Sequence, residues 1–200
     1  DAQVRWLLDG VAKSDARFII LVSPVPWTIW HNNSHMKGVA RKPDETKKED
    51  GLIGTLAERE KILTAFDALK KPVVILSGDL HSGYGVQVTD NVWEFLVSPI
   101  ASELHPVESG GNPPFQGRWD SNGREVNIKW ASTYPMAFDA EFGAQGRRHG
   151  FVYGLVHINN IFPTGVDPAG VTLWKAYDTP TLRAEIRDTE TAEVVYRSEE

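Results

Sequence analysis

Two residues of this sequence, Asp79 and His81, have the side-chain types and the spacing of metal ligands. They lie in the stretch Gly78 to Gly83, directly after the apolar run Val73 to Ser77. An aspartate followed two residues later by a histidine offers a carboxylate oxygen and an imidazole nitrogen from one short turn, a pairing suited to Ca²⁺, Mn²⁺, Fe or Zn²⁺. Gly78 is expected to allow a close approach of the backbone. In the alternative interpretation, Asp79 caps the turn and His81 is an ordinary surface residue.

Two further histidines, His31 and His35, are candidates for a catalytic role. They lie in a polar stretch, 28 to 54, that is far longer than an ordinary connection between two elements. Either histidine could enter the site as a metal ligand or donate a proton to a leaving group. The alternative is that both are solvated loop residues, since Asn and Ser surround them.

Other candidates each have a structural interpretation beside the functional one. Trp27 could line a substrate pocket or cover the core. Arg59 could position substrate or hold the long loop. The basic residues of 147–149 could contact phosphate or form a solvated face.

The elements that would position Asp79 and His81 form a strand–helix–strand unit. The apolar spacing predicts a helix over 2–13, and the run 17–23 has the length of a strand buried on both faces. A second helix is predicted from Leu56 to Leu69, before Pro72, and a second strand over 72–78. Parallel strands joined by a helix end at the same edge of a sheet, where α/β proteins bind their ligands. The 28–54 stretch is expected to be an extended loop beside that edge.

The later part of the sequence has the pattern of short antiparallel strands separated by turns. Two short strands are predicted around a turn at Asp90-Asn91, followed by an irregular loop region over 103–149. Four alternating segments follow within 150–200, separated by Asn159-Asn160, Pro180 and Thr189.

Composition and charge set limits on the class of protein. The 200 residues are 41% hydrophobic and 24% charged, which predicts one compact domain. No stretch approaches the roughly 18 apolar residues that a membrane-spanning helix needs. The net charge of −6 does not favour a nucleic-acid surface, and the absence of cysteine excludes disulfides and thiolate metal sites.

The run Val73 to Ser82 closely resembles the last metal-binding motif of the PhoD-like metallophosphatases, which belong to the calcineurin-like phosphoesterases. In that motif Gly-Asp-x-His stands where other members have Gly-His-x-His. Further similarity lies in Gln3 to Leu7, Val25-Pro26, Glu58 to Glu60 and Phe95 to Ile100. The resemblance extends from residue 1 to about 102, with a weaker similarity near 150–178.

The resemblance implies an α/β fold: the C-terminal half of a calcineurin-like αββα sandwich, with a parallel unit followed by antiparallel strands. It implies phosphate-ester hydrolysis at a site of two or more metal ions, of which Asp79 and His81 would be the last ligands. The other ligands would come from an N-terminal half, in cis or as a second chain. Where many related enzymes have a histidine at the end of the preceding strand, this sequence has Ser23-Pro24.

Two other functions remain open at the level of sequence. The first is a non-catalytic binding or structural module, because half of a metal site could fail to bind metal. The second is a nuclease with the same metal core, which would need a basic groove that the net charge does not suggest. The substrate class, monoester or diester, is not determined by the residues.

Overall fold

The computed structural model describes residues 2–29, 55–97, 113–132 and 151–198. Within these ranges lie two helices, a mixed six-stranded sheet and a three-stranded antiparallel sheet. The predicted α/β class is therefore confirmed in its coarse form. Neither described helix is long and apolar enough to cross a membrane.

Both predicted helices are present. Helix α1 spans Ala2–Lys13 and buries Val4 and Val11, while Trp6 on its other side is 75% exposed. Helix α2 spans Leu56–Ala68 and ends shortly before Pro72, with Lys70 in the left-handed region at φ 54°. A left-handed residue after the last turn is a common way for a helix to end, and proline cannot continue it.

The mixed sheet contains the predicted parallel pair. Strand β1, Ile19–Val22, lies parallel to β2, Val73–Ser77, with Ile19 opposite Val73. Strands β3, Tyr84–Gln87, and β4, Val92–Leu96, form the hairpin predicted around Asp90-Asn91. Strand β4 also lies parallel to β2, so the region after residue 86 continues the same sheet.

The prediction that the first strand is buried on both faces is wrong for β1. Ile20 is 36% exposed and Val22 is 76% exposed, whereas Ile19 and Leu21 pack against the core. In the described sheet β1 is an edge strand, and an apolar run does not distinguish an edge strand from a central one. The prediction is correct for β2, where Val73, Val74 and Ile75 are all buried.

The prediction of an irregular region over 103–149 is wrong for its described part. Strands β5, Gly117–Ser121, and β6, Arg124–Ala131, form a hairpin at the other edge of the mixed sheet. Their turn is Asn122-Gly123, and both residues have positive φ, 53° and 85°. An Asn-Gly pair is the strongest local signal for a two-residue hairpin turn of type I′, and the strand prediction overlooked it.

The second sheet is antiparallel, as predicted for 150–200, but its strands are longer than predicted. Strand β7 spans Val152–Val166, β8 spans Thr172–Asp188 and β9 spans Val194–Arg197. Asn159-Asn160 and Pro180 were predicted to separate strands, and they do not. The register shifts between Asn159 and Ile161, and such a bulge admits polar residues and proline without ending a strand.

The mixed sheet has a different partner on each face. One face packs on the helices, through Ile75, Leu96 and Ile128 against Ile62, Leu63 and Phe66. The other face packs on the second sheet, where Val74 and Phe95 meet Val152, Ala184 and Ile186. Gly83 and Gly85 allow this close approach, because a Cβ on Gly85 would lie 2.7 Å from the Tyr196 ring. These layers hold β2 rigidly, and the turn with Asp79 follows it directly.

Candidate metal site

The turn with Asp79 and His81 lies at the carboxyl end of β2, where the sequence placed it. Strand β2 ends at Ser77, and the turn leads through Ser82 and Gly83 into β3 at Tyr84. Asp79 is exposed and His81 is half-buried, while Leu80 between them is fully buried and Ser82 is 5% exposed. The two polar side chains are therefore the accessible members of a turn whose other residues anchor it.

Asp79 and His81 both have left-handed backbone conformations, at φ 67° and 62°. An L-residue in this region costs roughly 1–2 kcal/mol, somewhat less for Asp, Asn and His, which adopt it more often than other residues. Such strain persists only where the surrounding structure determines it, and it is concentrated at functional sites. Asp79 and His81 thus adopt this conformation with one residue between them, and Lys70, Asn122 and Ala192 adopt it singly or beside a glycine elsewhere in the described chain.

Hydrogen bonds fix both ends of this turn. At its end, Gly83 N–H donates to Ser132 Oγ at 2.8 Å, and Ser132 N–H donates to Gly83 O at 2.8 Å. At its start, the carbonyl of Ser77 accepts from Val97 N–H at 3.2 Å, and the Ser77 hydroxyl donates to a carboxylate oxygen of Glu94 at 2.6 Å. The turn is thereby tied to β4 on one side and to the end of β6 on the other.

The donor set of the turn fits part of a metal site. A carboxylate and an imidazole are ligands for Mn²⁺, Fe or Zn²⁺, and the carboxylate also suits Ca²⁺. Within residues 2–29, 55–97, 113–132 and 151–198 no group of three or more His, Cys, Asp or Glu side chains could hold a metal ion. The described residues thus offer two candidate ligands, both on one turn.

The close backbone approach expected at Gly78 is not made to the described residues, and toward a ligand it stays a prediction. A Cβ at this position would meet no atom of the described residues within 4 Å, so no close backbone approach requires glycine there. The space beside Gly78, next to Asp79, is open in this part of the molecule.

A buried carboxylate, Glu94, lies on the neighbouring strand β4 and is fully inaccessible to solvent. Its Oε1 accepts from Ser77 Oγ and from the backbone N–H of Trp27, at 2.6 and 2.8 Å. Its Oε2 accepts from the backbone N–H of Thr28 at 3.0 Å and from the Thr28 hydroxyl. Burial raises the pKa of Glu94, and the hydrogen bonds to its ionised form oppose that rise.

Arg59 of α2 restrains the same backbone segment by donating to a carbonyl group, that of Trp27. The guanidinium is buried and donates to Trp27 O at 3.3 Å, and to Ser121 Oγ and Ser121 O at 2.9 and 2.6 Å. It also pairs with Glu60 at 2.8 Å, and burial lowers the pKa of Arg59. Of the two interpretations of Arg59, the structure supports the one in which it holds the chain after β1.

Trp27 likewise belongs to the core. It is 4% exposed, and its ring stacks on Phe66 of α2 with centroids 6.0 Å apart. The catalytic candidates His31 and His35 lie outside the described residues, as do Trp30 and the basic residues 147–149. The structure therefore places Asp79 and His81 on one turn, and the roles of these and of the other candidate site residues stay predictions.

The residues missed by the sequence interpretation are those of the buried polar network: Thr28, Ser77, Glu94 and Ser121. Glu94 had a recognisable signal, because it is the one charged residue in the strand Val92-Trp-Glu-Phe-Leu96. A charged residue in such a strand is expected to be buried only if hydrogen bonds satisfy it. The serines and the threonine had no such signal, since their partners are distant in sequence.

Comparison with known proteins gives one family match. The family model described as PhoD-like phosphatase matches residues 1–141. A solved structure, titled "Structure of PhoD", aligns with 98% of this chain at 12% identity and a TM-score of 0.40, and the aligned part is 35% of that structure's chain. The chain thus spans about a third of the length of that protein. No curated protein matches it. Because the family model covers well over half of the sequence, the chain belongs to the PhoD-like phosphatase family.

Proposed function

We propose that this chain contributes to the active site of a metal-dependent phosphoric ester hydrolase, with Asp79 and His81 as metal ligands. Membership of the PhoD-like phosphatase family supports the reaction class. The observation that carries the assignment of residues is the turn after β2, in which both side chains are accessible and both backbones are left-handed. The turn lies where α/β proteins bind ligands, beyond the carboxyl end of a parallel strand.

In this proposal the turn holds metal ions through the Asp79 carboxylate and the His81 imidazole. Bound Ca, Fe, Mn or Zn ions would supply Lewis-acid chemistry, which neutralises charge on phosphate oxygens and activates water for attack on phosphorus. The remaining ligands are proposed to come from an N-terminal half, in cis or as a second chain. His31 and His35 are proposed as proton donors to the leaving group.

The local anchoring supports such a role for the turn. Leu80 and Ser82 are buried, and the hydrogen bonds of Gly83 and Ser77 fix the backbone on either side of the two candidate ligands. Metal ligands must be held close to their productive geometry before the ion binds, because each degree of freedom that is lost on binding weakens affinity. A rigid turn between two strands of a packed sheet meets that requirement.

The test compares metal content and hydrolysis in the natural full-length protein and two variants, Asp79→Asn and His81→Gln. Both substitutions keep the approximate size of the side chain, and p-nitrophenyl phosphate and bis(p-nitrophenyl) phosphate serve as substrates. The proposal expects loss of bound metal and of most hydrolysis, with unchanged circular dichroism.

Asp90→Asn is the matched control. Asp90 is also an exposed turn aspartate, but it lies at the opposite end of β2, beside the start of β4. It should keep full activity. Full activity and unchanged metal content in both Asp79→Asn and His81→Gln would refute the ligand assignment. Metal binding without hydrolysis in the unaltered protein would instead favour a binding module.

A further inference from the structure

Glu94 occupies an unusual position for a charged residue, at the centre of β4 and with no solvent exposure. Its register partner on the parallel strand β2 is Ile75, two residues before Ser77. On the helix side lie Arg59 and Trp27, both buried. A carboxylate in such surroundings is costly unless each oxygen is fully hydrogen-bonded.

We infer that Glu94 is a positioning residue of the candidate metal site. It joins the backbone that follows β1, at Trp27 and Thr28, to the last residue of β2, Ser77. Through Ser77 it fixes the start of the turn that presents Asp79 and His81. Through Trp27 and Thr28 it fixes the end of the described segment that follows β1. The inference rests on the proposed function of that turn.

The hydrogen-bond chemistry explains why a carboxylate is needed. Two of the donors are backbone N–H groups, which can donate a hydrogen bond but cannot accept one. Each of them donates to a different oxygen of Glu94. An ionised carboxylate is an acceptor at both oxygens. A glutamine amide has one acceptor oxygen and one donor nitrogen, so one of these backbone N–H groups would face another donor.

The carbonyl side of the same two residues is held separately. Arg59 donates to Trp27 O, and Ser121 Oγ donates to Thr28 O at 2.6 Å. These bonds restrain the chain after β1, but they do not contact Ser77. Glu94 thus bridges Trp27 and Thr28 to Ser77, the last residue of β2, in addition to the backbone hydrogen bond from Ser23 N–H to Leu76 O. This bridge is what distinguishes a positioning role from ordinary support of the core.

Groups that orient metal ligands from outside the coordination shell affect metal affinity by about 10- to 100-fold when they are removed. Glu94→Gln and Ser77→Ala are therefore expected to raise both the Kd for Mn²⁺ measured by calorimetry and the Mn²⁺ concentration for half-maximal activity by about 10- to 100-fold, in the natural full-length protein. At saturating Mn²⁺ the KM for p-nitrophenyl phosphate should stay close to that of the unaltered protein. Ser77→Ala leaves the bonds to Trp27 and Thr28 intact and so tests the bridge alone, even if Glu94→Gln fails to fold.

The matched control is Glu185→Gln. Glu185 is also a buried, multiply bonded glutamate, but it lies on β8 and its partners are arginines of the second sheet. Glu185→Gln should lower stability to urea without changing the Mn²⁺ dependence. If Glu94→Gln and Ser77→Ala likewise lower only stability, the inference is overturned and Glu94 is a structural residue.

Asp79→Asn is measured in the same series. If it keeps metal and activity, the proposed function fails and this inference fails with it. If it loses both while the Glu94 and Ser77 variants keep the Mn²⁺ dependence, the inference alone fails.

Discussion

Replacement of Asp79 by glycine separates a ligand from a structural turn residue, because the two roles predict different changes in stability, metal content and activity. The φ of 67° at Asp79 costs an L-residue roughly 1–2 kcal/mol, and glycine adopts it without that cost. Glycine also gains freedom in the unfolded chain, which offsets about 0.5–1 kcal/mol of the relief. We therefore expect Asp79→Gly to change the free energy of unfolding of the metal-free protein by no more than about 1 kcal/mol, or about 4 °C in Tm.

Asp79→Ala is the informative companion, because alanine keeps the left-handed strain and cannot compensate it with a polar side chain. It should be less stable than Asp79→Gly by about 1 kcal/mol. Both variants should lose bound metal. A metal centre contributes several kcal/mol to transition-state stabilisation, and each 1.36 kcal/mol is a factor of ten, so hydrolysis should fall at least about 100-fold in both.

The measurements are urea unfolding of the metal-free proteins in EDTA, followed by circular dichroism, then metal content by mass spectrometry and hydrolysis of p-nitrophenyl phosphate by the natural full-length protein, because bound metal would itself stabilise the folded state. Asp90→Gly, in the turn at the opposite end of β2, controls for the loss of an exposed aspartate. The reasoning is refuted if Asp79→Gly loses about 1 kcal/mol or more of stability while it keeps metal and activity, since that is the behaviour of a turn cap.

Three further predictions concern the rest of the chain. Gly85→Ala should destabilise the protein by about 1–3 kcal/mol in urea unfolding, because its Cβ would overlap the Tyr196 ring. The control, Gly10→Ala in α1, should stabilise it by about 0.5–1 kcal/mol, since no atom lies near the added Cβ. Equal effects of the two substitutions would contradict the described packing of the two sheets. Hydrogen bonds from arginines hold the pKa of Glu185 at about 2, below the usual 4.5, so its stabilisation is complete above about pH 4.5 and is lost as the pH falls toward 2. Unfolding of Glu185→Gln measured across that range should lack this part of the acid dependence, and an unchanged acid profile would show that Glu185 does not carry it. The 200-residue chain alone should bind Mn²⁺ weakly in calorimetry and hydrolyse p-nitrophenyl phosphate little or not at all, and robust turnover would show that its site is complete.

The elements that could be predicted from sequence are those whose pattern is local. The spacing of apolar residues in α1 and α2 and the continuous run Val73–Ser77 determined two helices, a parallel pair and the position of Asp79 and His81. The Asn122-Gly123 pair is also a local signal, and it is sufficient to predict the turn of the β5–β6 hairpin.

What could not be predicted depends on contacts between distant residues. The exposure of Val22 follows from the place of β1 at an edge of the described sheet, which no property of the run itself reveals. The continuation of β7 past Asn159 depends on a register shift against β8. The role of Glu94 depends on donors 66 and 67 residues away, so only the three-dimensional structure shows that its charge is satisfied.

The anchoring of Trp27 and Thr28 has a consequence for how the length of the chain between β1 and α2 can change. Segment 30–54 begins just after this anchored pair and ends just before α2, which is packed on the sheet through Leu63 and Phe66. The two attachment points are therefore set by the described core and not by the segment itself. The entropy of closing a chain between fixed points grows slowly with its length, by about 0.6 kcal/mol for each doubling. Changes in the length of 30–54 are therefore expected to cost the folding of the described core little.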